Sequence, residues 1–337
     1  MLSEIHEQPV ALRRTLDQTR DEAEFIAKRN AHKIRMIYFT GSGTSYHACI
    51  AANYLVSRVT NYPSSTLPAS EFPAWTSRAR HHSGTWLIAI SQSGESRDVI
   101  DAVRSAKLSK IRVLAVTNDA QSRLAKLADF SIASQAGKEE AVTATKSFTA
   151  TLLVTYEFVT ALTKREQLNA ELGKLPSVVE ETLQCCEKKC RAIASEFRDR
   201  EFLFLLGSGA NYASALEGAL KLKESCNVFA EGFATREFLH GPMQLVDKRT
   251  PVFILQHELS DESVELTERF KRLGAPTIIV GSDTATRGSE AIEIPAGVND
   301  VYQPLSYVIP LQLFAYYSSI SRGLNPDQPT KLKKVVV

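Results

Sequence analysis

The sequence predicts an α/β protein made of two copies of one domain, each a parallel sheet covered by helices on both faces. Three observations predict it. Residues 36–52 read MIYFTGSGTSYHACIAA and residues 202–218 read FLFLLGSGANYASALEG, so a Gly-Ser-Gly turn after an apolar run recurs at a constant offset, Gly41 to Gly207. Strand-like and helix-like stretches alternate through both halves. The strand-like runs are short and nearly all apolar, the pattern of strands buried on both faces.

In order along the chain, residues 3–30 space their apolar positions at helical intervals. First-half strands are expected at Arg35–Thr40, Trp86–Ile90, Arg112–Val116 and Ser131–Ala133. Second-half strands are expected at Phe202–Leu206, Val252–Leu255, Thr277–Val280 and Ile292–Ile294, at nearly the same offset. A polar helix near 175–197 is the expected connector. The expected organisation is a helical segment 1–30, a first domain 31–170, a connecting helix 171–197, a second domain 198–325 and a tail 326–337. A chain of 337 residues is long enough for two such cores.

Bulk numbers exclude several classes. Hydrophobic content of 44% and charged content of 23% are those of a globular protein in water. The net charge of +2 comes without a dense basic run, which argues against nucleic-acid binding. No apolar run reaches bilayer length, and the N-terminus lacks an apolar signal core, so a cytoplasmic location is expected. Five cysteines without framework spacing fit a reducing compartment. Cys185, Cys186 and Cys190 superficially resemble a metal cluster, but adjacent cysteines are poor tetrahedral ligands and no His lies nearby, so they are read as structural.

Ligands of open parallel sheets sit in the turns at the carboxyl ends of strands. Two first-half turns are rich in hydroxyls there: Thr40-Gly-Ser-Gly-Thr-Ser45 and Ser91-Gln-Ser-Gly-Glu-Ser96. Glycine lets the backbone approach a ligand, and a helix start offers amides and a favourable dipole to an anion. Neither turn has the lysine of a nucleoside-triphosphate loop, and GSGTSY lacks the last glycine of a dinucleotide fingerprint. The inferred ligand is a monophosphate. One such turn would be read as a helix cap; two at equivalent strand ends favour phosphate. The segment Glu139–Ser147 either closes the site or is a loop with a capping Thr. In the second half, Glu217, Lys221 and Glu224 share a helix face; taken alone they read as a solvated salt-bridge ladder. His240, in His-Gly-Pro after an acidic turn, taken alone reads as structural, and the lysine-rich tail as loose and solubilising.

Taken together, ISQSGES, GTSYHA, ALEGALKLKE, HGP and the terminal DQPxxLxK resemble the sugar isomerase (SIS) family in order along the whole chain. More narrowly, they resemble the isomerase domain of glucosamine-6-phosphate synthases and the SIS-type glucosamine-6-phosphate deaminases. The resemblance implies two SIS domains, each a flavodoxin-like three-layer sandwich. It places Ser45, Ser91, Gln92, Ser93 and Ser96 at the sugar phosphate, beside the turn candidates Ser42 and Thr44, with Val142 and Ala144 near the sugar. It implies Glu224 as the base moving a proton between C1 and C2, and Lys221 as its support. His240 matches the residue of ring opening, reaching the site from the partner of a homodimer. Lys334 matches the lysine that contacts the open-chain sugar and forms a Schiff base with fructose 6-phosphate. No metal or organic cofactor is implied.

The chemistry suits these types: a carboxylate for proton transfer, a histidine titrating near neutrality, a lysine to condense with a ketone. The synthases carry an N-terminal glutaminase with a cysteine after the initiator Met, whereas residue 2 here is Leu. The expected reaction is therefore interconversion of glucosamine 6-phosphate and water with fructose 6-phosphate and ammonia, catalysed by a deaminase. Alternatives are synthesis with ammonia or a separate glutaminase subunit, and action on another phosphosugar. A different class is a non-catalytic sugar-phosphate sensor; such regulators usually add a DNA-binding helix-turn-helix, for which the first 30 residues are too short.

Overall fold

A computed structural model describes residues 1–77, 81–257, 261–282 and 290–335; positions 336 and 337 of the expected tail lie outside them. The first half forms strands β1 (Met36–Gly41), β2 (Ser64–Pro68), β3 (Thr85–Ile90), β4 (Arg112–Thr117) and β5 (Phe130–Ala133). They make one parallel sheet in the order β2-β1-β3-β4-β5. The second half forms β6 (Phe202–Gly207), β7 (Phe229–Ala234), β8 (Val252–Leu255), β9 (Thr277–Gly281) and β10 (Glu290–Glu293). Their order is β7-β6-β8-β9-β10, again all parallel, so the same topology is used twice. The repeated, helix-flanked parallel sheets are the architecture expected from the sequence.

Contacts divide the chain into two compact units. One holds β1–β5 and comprises Glu7–Glu139, Ala144–Pro176 and Lys333–Val337; the other holds β6–β10 and comprises Met1–His6, Glu140–Thr143 and Ser177–Leu332. In the first unit, the helix Arg97–Leu108 buries Val99, Ile100, Ala102, Val103 and Ala106 against the strand residues Leu87, Ala89, Val113 and Ala115. That spacing of three and four is why this stretch is an amphipathic helix. The helix Lys146–Ala161 is buried on nearly every side, its threonines and Glu157 included, and is packed by the helices Gln8–Asn30 and Thr44–Val59. In the second unit, Phe204, Leu206, Ile254 and Ile279 of the sheet meet Phe238 and Phe270.

Four differences from the sequence reading stand out. Strands β2 and β7 were not among the expected strands, and both are edge strands occupying the same place in their sheets. β2 is partly exposed along its whole length and reads SSTLP; β7 carries Glu231 and Gly232. The supposed acidic turn before His240 is thus in part strand β7. The N-terminal helix is broken at Glu7, before Gln8 and Pro9 start a new one. The last strand runs over Glu290–Glu293 rather than Ile292–Ile294.

Candidate functional site

In an order β2-β1-β3-β4-β5 the chain reverses direction of travel between β1 and β3, and ligands bind at the carboxyl ends flanking that reversal. The two hydroxyl-rich turns sit there, one after each strand. In the first, Gly43 takes φ +55° and starts the helix Thr44–Val59. A Cβ on Gly41 would lie 2.8 Å from the Ser45 carbonyl carbon, so only glycine lets the helix pass this close over the strand end. The second sheet repeats this geometry at Gly207 and Gly209 (φ +60°), where Asn211 replaces Ser45.

The hydroxyls divide into two groups. Ser91 is buried and its Oγ accepts from the Gly94 amide at 3.1 Å, while Ser93 Oγ accepts from the Glu95 amide at 3.2 Å. These two shape the second turn. By contrast, the side chains of Ser42, Ser45, Gln92 and Ser96 have no hydrogen-bond partner among the described residues, and all four reach the surface. Ser96 begins the helix Arg97–Leu108 without capping it. Thr44 is half-buried in the first helical turn. Two helix starts with unengaged hydroxyls and an amide side chain form an arrangement able to hold an anion with neutral donors.

In the second unit, the helix Asn211–Cys226 lies tight on its neighbours. A Cβ on Gly218 would come within 2.6 Å of Leu311, and one on Gly232 within 2.6 Å of the Ala215 backbone. This packing submerges the charged face. Lys221 and Glu217 are fully buried, and Lys221 Nζ lies 3.2 Å from Glu217 Oε1 and 2.8 Å from Glu224 Oε2. Burial pulls the Lys221 ammonium down, but the two carboxylates outweigh it and hold it above its ordinary range. The solvated ladder suggested by spacing alone is therefore a buried ion triad. Glu224 is its outer member, 21% exposed, with Oε1 unpartnered among the described residues. It lines a cleft of about 310 Å³ together with Lys223, Asn325, Gln328, Thr330 and Lys331.

His240 is exposed in a turn between two short helical segments and is not among the residues lining that cleft. Val142 is half-buried and its amide donates to the Asp327 carbonyl at 2.9 Å; Ala144 is also half-buried. Lys334 is not part of a loose tail: its Nζ lies 3.2 Å from Oε2 of Glu139, whose side chain is fully buried. Lys331 and Lys333 remain exposed.

Glu139 is the residue to which the sequence reading gave no role. Its Oε1 accepts from the Thr145 amide (2.8 Å), Thr145 Oγ1 (3.2 Å) and the Ser147 amide (3.2 Å), and its Oε2 from Ser147 Oγ (2.5 Å). Burial pushes its carboxyl up, but the Lys334 charge and these donors prevail and hold it below its ordinary value. The capping Thr considered for this segment is corrected: Thr145 precedes the helix Lys146–Ala161, but its hydroxyl turns to Glu139, which does the capping. The available signal was a glutamate six and eight residues ahead of a Thr and a Ser at a helix start.

Comparison with known proteins now bears on the same features. The SIS domain model matches residues 31–161 and 196–322, one match on each sheet. The chain belongs to the SIS-domain family. It is 36% identical to the isomerizing glutamine–fructose-6-phosphate aminotransferase of Methanothermobacter thermautotrophicus, over 100% of this chain and 57% of that protein. The SIS chain thus spans a little over half the length of the curated relatives it matches. Among solved structures, the C-terminal domain of glucosamine-fructose-6-phosphate aminotransferase from Francisella tularensis superposes with a TM-score of 0.90 at 30% identity, covering 97% of this chain and 98% of that one. Glucosamine-6-phosphate deaminase from Thermotoga maritima superposes with a TM-score of 0.79 at 25% identity, covering 99% and 98%. Among the described residues, no helix is long and apolar enough to cross a membrane, and no cluster of His, Cys, Asp and Glu suits a metal ion.

Proposed function

We propose that this SIS protein interconverts glucosamine 6-phosphate and water with fructose 6-phosphate and ammonia. The observation that carries the reading is the outer carboxylate of the buried triad. Glu224 lines a cleft, with one oxygen held by Lys221 and the other without a hydrogen-bond partner among the described residues. A fixed carboxylate with a free oxygen is the group needed to take a proton from one carbon and return it to the next.

In this reading Glu224 moves the proton between C1 and C2 of the open-chain sugar, and Lys221 keeps its carboxylate in place. Ser42, Thr44, Ser45, Gln92 and Ser96 grip the phosphate, with Ser91 and Ser93 shaping their turn. The phosphate is the non-reacting end, so its binding orients the sugar. Val142 and Ala144 lie near the sugar. Lys334 contacts the open-chain form and condenses with the ketone of fructose 6-phosphate, releasing water; ammonia then displaces the lysine. His240 assists ring opening, contributed by the partner in a homodimer.

In superposition the aminotransferase domain shares 30% identity with this chain and the deaminase 25%, which favours synthesis of glucosamine 6-phosphate as the direction used in the cell. A glutaminase would then supply the ammonia. The test is kcat/KM in both directions over a panel of amino-sugar and keto-sugar phosphates. The reading expects the glucosamine 6-phosphate/fructose 6-phosphate pair to be preferred; preference for another epimer or an unaminated pair would reassign the substrate. A glutaminase chain that co-purifies would support synthesis.

A further inference from the structure

Three lysines end the described chain, and one is singled out. Lys331 and Lys333 are exposed, whereas Lys334 is 27% exposed and meets a carboxylate that is itself fully buried. That carboxylate, Glu139, lies in an irregular stretch between β5 and the helix Lys146–Ala161. Such a stretch gives a side chain no fixed place by itself. Here the place is fixed from the helix start: Thr145 and Ser147 give Oε1 three donors, and Ser147 Oγ gives Oε2 one. Oε1 is fully used in this way, and Oε2 keeps capacity for Lys334.

A helix cap alone would need only the Oε1 contacts. A buried negative charge that also engages the one recessed lysine of the tail has a further consequence. Lysine is a long chain with several rotatable bonds, and its amine is placed only if something holds it. We propose that Glu139 is the positioning residue for Lys334, its preorganised carboxylate fixing the amine at the end of the chain. The catalytic consequence rests on the reading that Lys334 serves the open-chain sugar. An amine that must attack a carbonyl gains rate from being held within about 3–3.5 Å of it. Of the other charged side chains near this segment, Lys146 pairs with Glu7 at 2.6 Å, Glu4 Oε1 accepts from the Ala141 amide at 3.2 Å, and Lys138 and Glu140 are exposed.

The experiment measures placement first and activity second, on the full chain. Trace acetylation with acetic anhydride, read by fragmentation mass spectrometry, compares Lys334 with Lys331 and Lys333 in the same molecule. In the wild type, Lys334 is expected to react at least threefold more slowly than its neighbours. In Glu139→Gln, which keeps an oxygen to cap the helix but loses the charge, the difference is expected to fall below twofold while the melting curve stays in place. Turnover is expected to drop tenfold or more with KM for fructose 6-phosphate within threefold, because the phosphate grip is untouched. Glu139→Asp, which keeps the charge on a shorter arm, should recover part of the turnover, and its labelling pattern is read in place of the Gln variant if that one fails to fold. Equal labelling of the three lysines in the wild type, or protection of Lys334 that survives loss of the charge, would overturn the proposal. Absence of turnover in the wild type would instead overturn the functional reading and leave the labelling result to decide placement.

Discussion

At the residue scale, burial decides what each charge can do. Glu224 and Glu217 look alike in sequence, each a helical turn from Lys221, but one is fully buried and the other opens to a cleft. Glu224→Gln keeps size and one hydrogen bond but cannot accept the substrate proton. It is expected to lower kcat by about 10²–10⁴-fold while leaving sugar-phosphate affinity close to wild type, measured by steady-state kinetics and calorimetry. A sensor without catalysis would show equal inertness in both forms. A second carboxyl lies outside the site. Glu157 sits in the buried helix Lys146–Ala161 and accepts from Thr19 Oγ1 at 2.6 Å. Burial pushes its carboxyl up to about 8, only partly opposed by the Thr19 hydrogen bond and the Arg20 charge. The folded state therefore holds a proton that the unfolded chain gives up near its ordinary value of 4.5. Stability from this group is fully present below that value and is lost as pH rises through about 8. The melting temperature of the wild type should fall between pH 6 and 9 relative to Glu157→Gln; parallel profiles would refute the assignment.

At the element scale, the sequence was readable where strands are buried on both faces. β8 throughout, and β3 after Thr85, are apolar and announce themselves. The edge strands β2 and β7 do not, because half-exposed strands need no apolar run and are held by pairing to β1 and β6. The repeated glycine turn was legible as a pattern, and the structure supplies its reason in the close passage of a helix start over a strand end. Gly41→Ala and Gly207→Ala should each destabilise by about 1–3 kcal/mol, since the clash is with backbone that cannot swing aside. The second should cost more, its Cβ meeting the Asn211 carbonyl oxygen at 2.2 Å. Thermal melts of the two variants check both the sign and the order. Elements of the candidate site were legible unevenly. The hydroxyl turns could be found from spacing, but not which hydroxyls the turn itself consumes: Ser91 and Ser93 do, Ser42, Ser45 and Ser96 do not. The spacing of Glu139 from Thr145 and Ser147 signals its cap, but not its contact with Lys334, a lysine 195 positions later.

At the scale of the whole molecule, one topology is used twice with different chemistry. The first sheet carries Thr44 and Ser45 at its reversal point; the second exchanges them for Ala210 and Asn211 and carries the Lys221–Glu224 group on the helix that follows. Asn211 is spent inside its unit, its Nδ2 donating to Gln303 Oε1 at 2.7 Å. The homodimer in the functional reading adds a prediction of its own. Inactive His240→Ala and Glu224→Gln subunits, mixed under conditions of proven exchange, should recover up to about a quarter of wild-type turnover through mixed dimers in which one site is intact, by the statistics of a twofold assembly. No recovery would place His240 in its own subunit's site or outside catalysis. The most direct test of the central claim is product stoichiometry. Purified protein is incubated with glucosamine 6-phosphate, and ammonia and fructose 6-phosphate are assayed together. The account predicts that both appear in equal amounts from the wild type and that neither rises above background with Glu224→Gln. Neither product from intact, folded wild-type protein, or equal product from both forms, would contradict it.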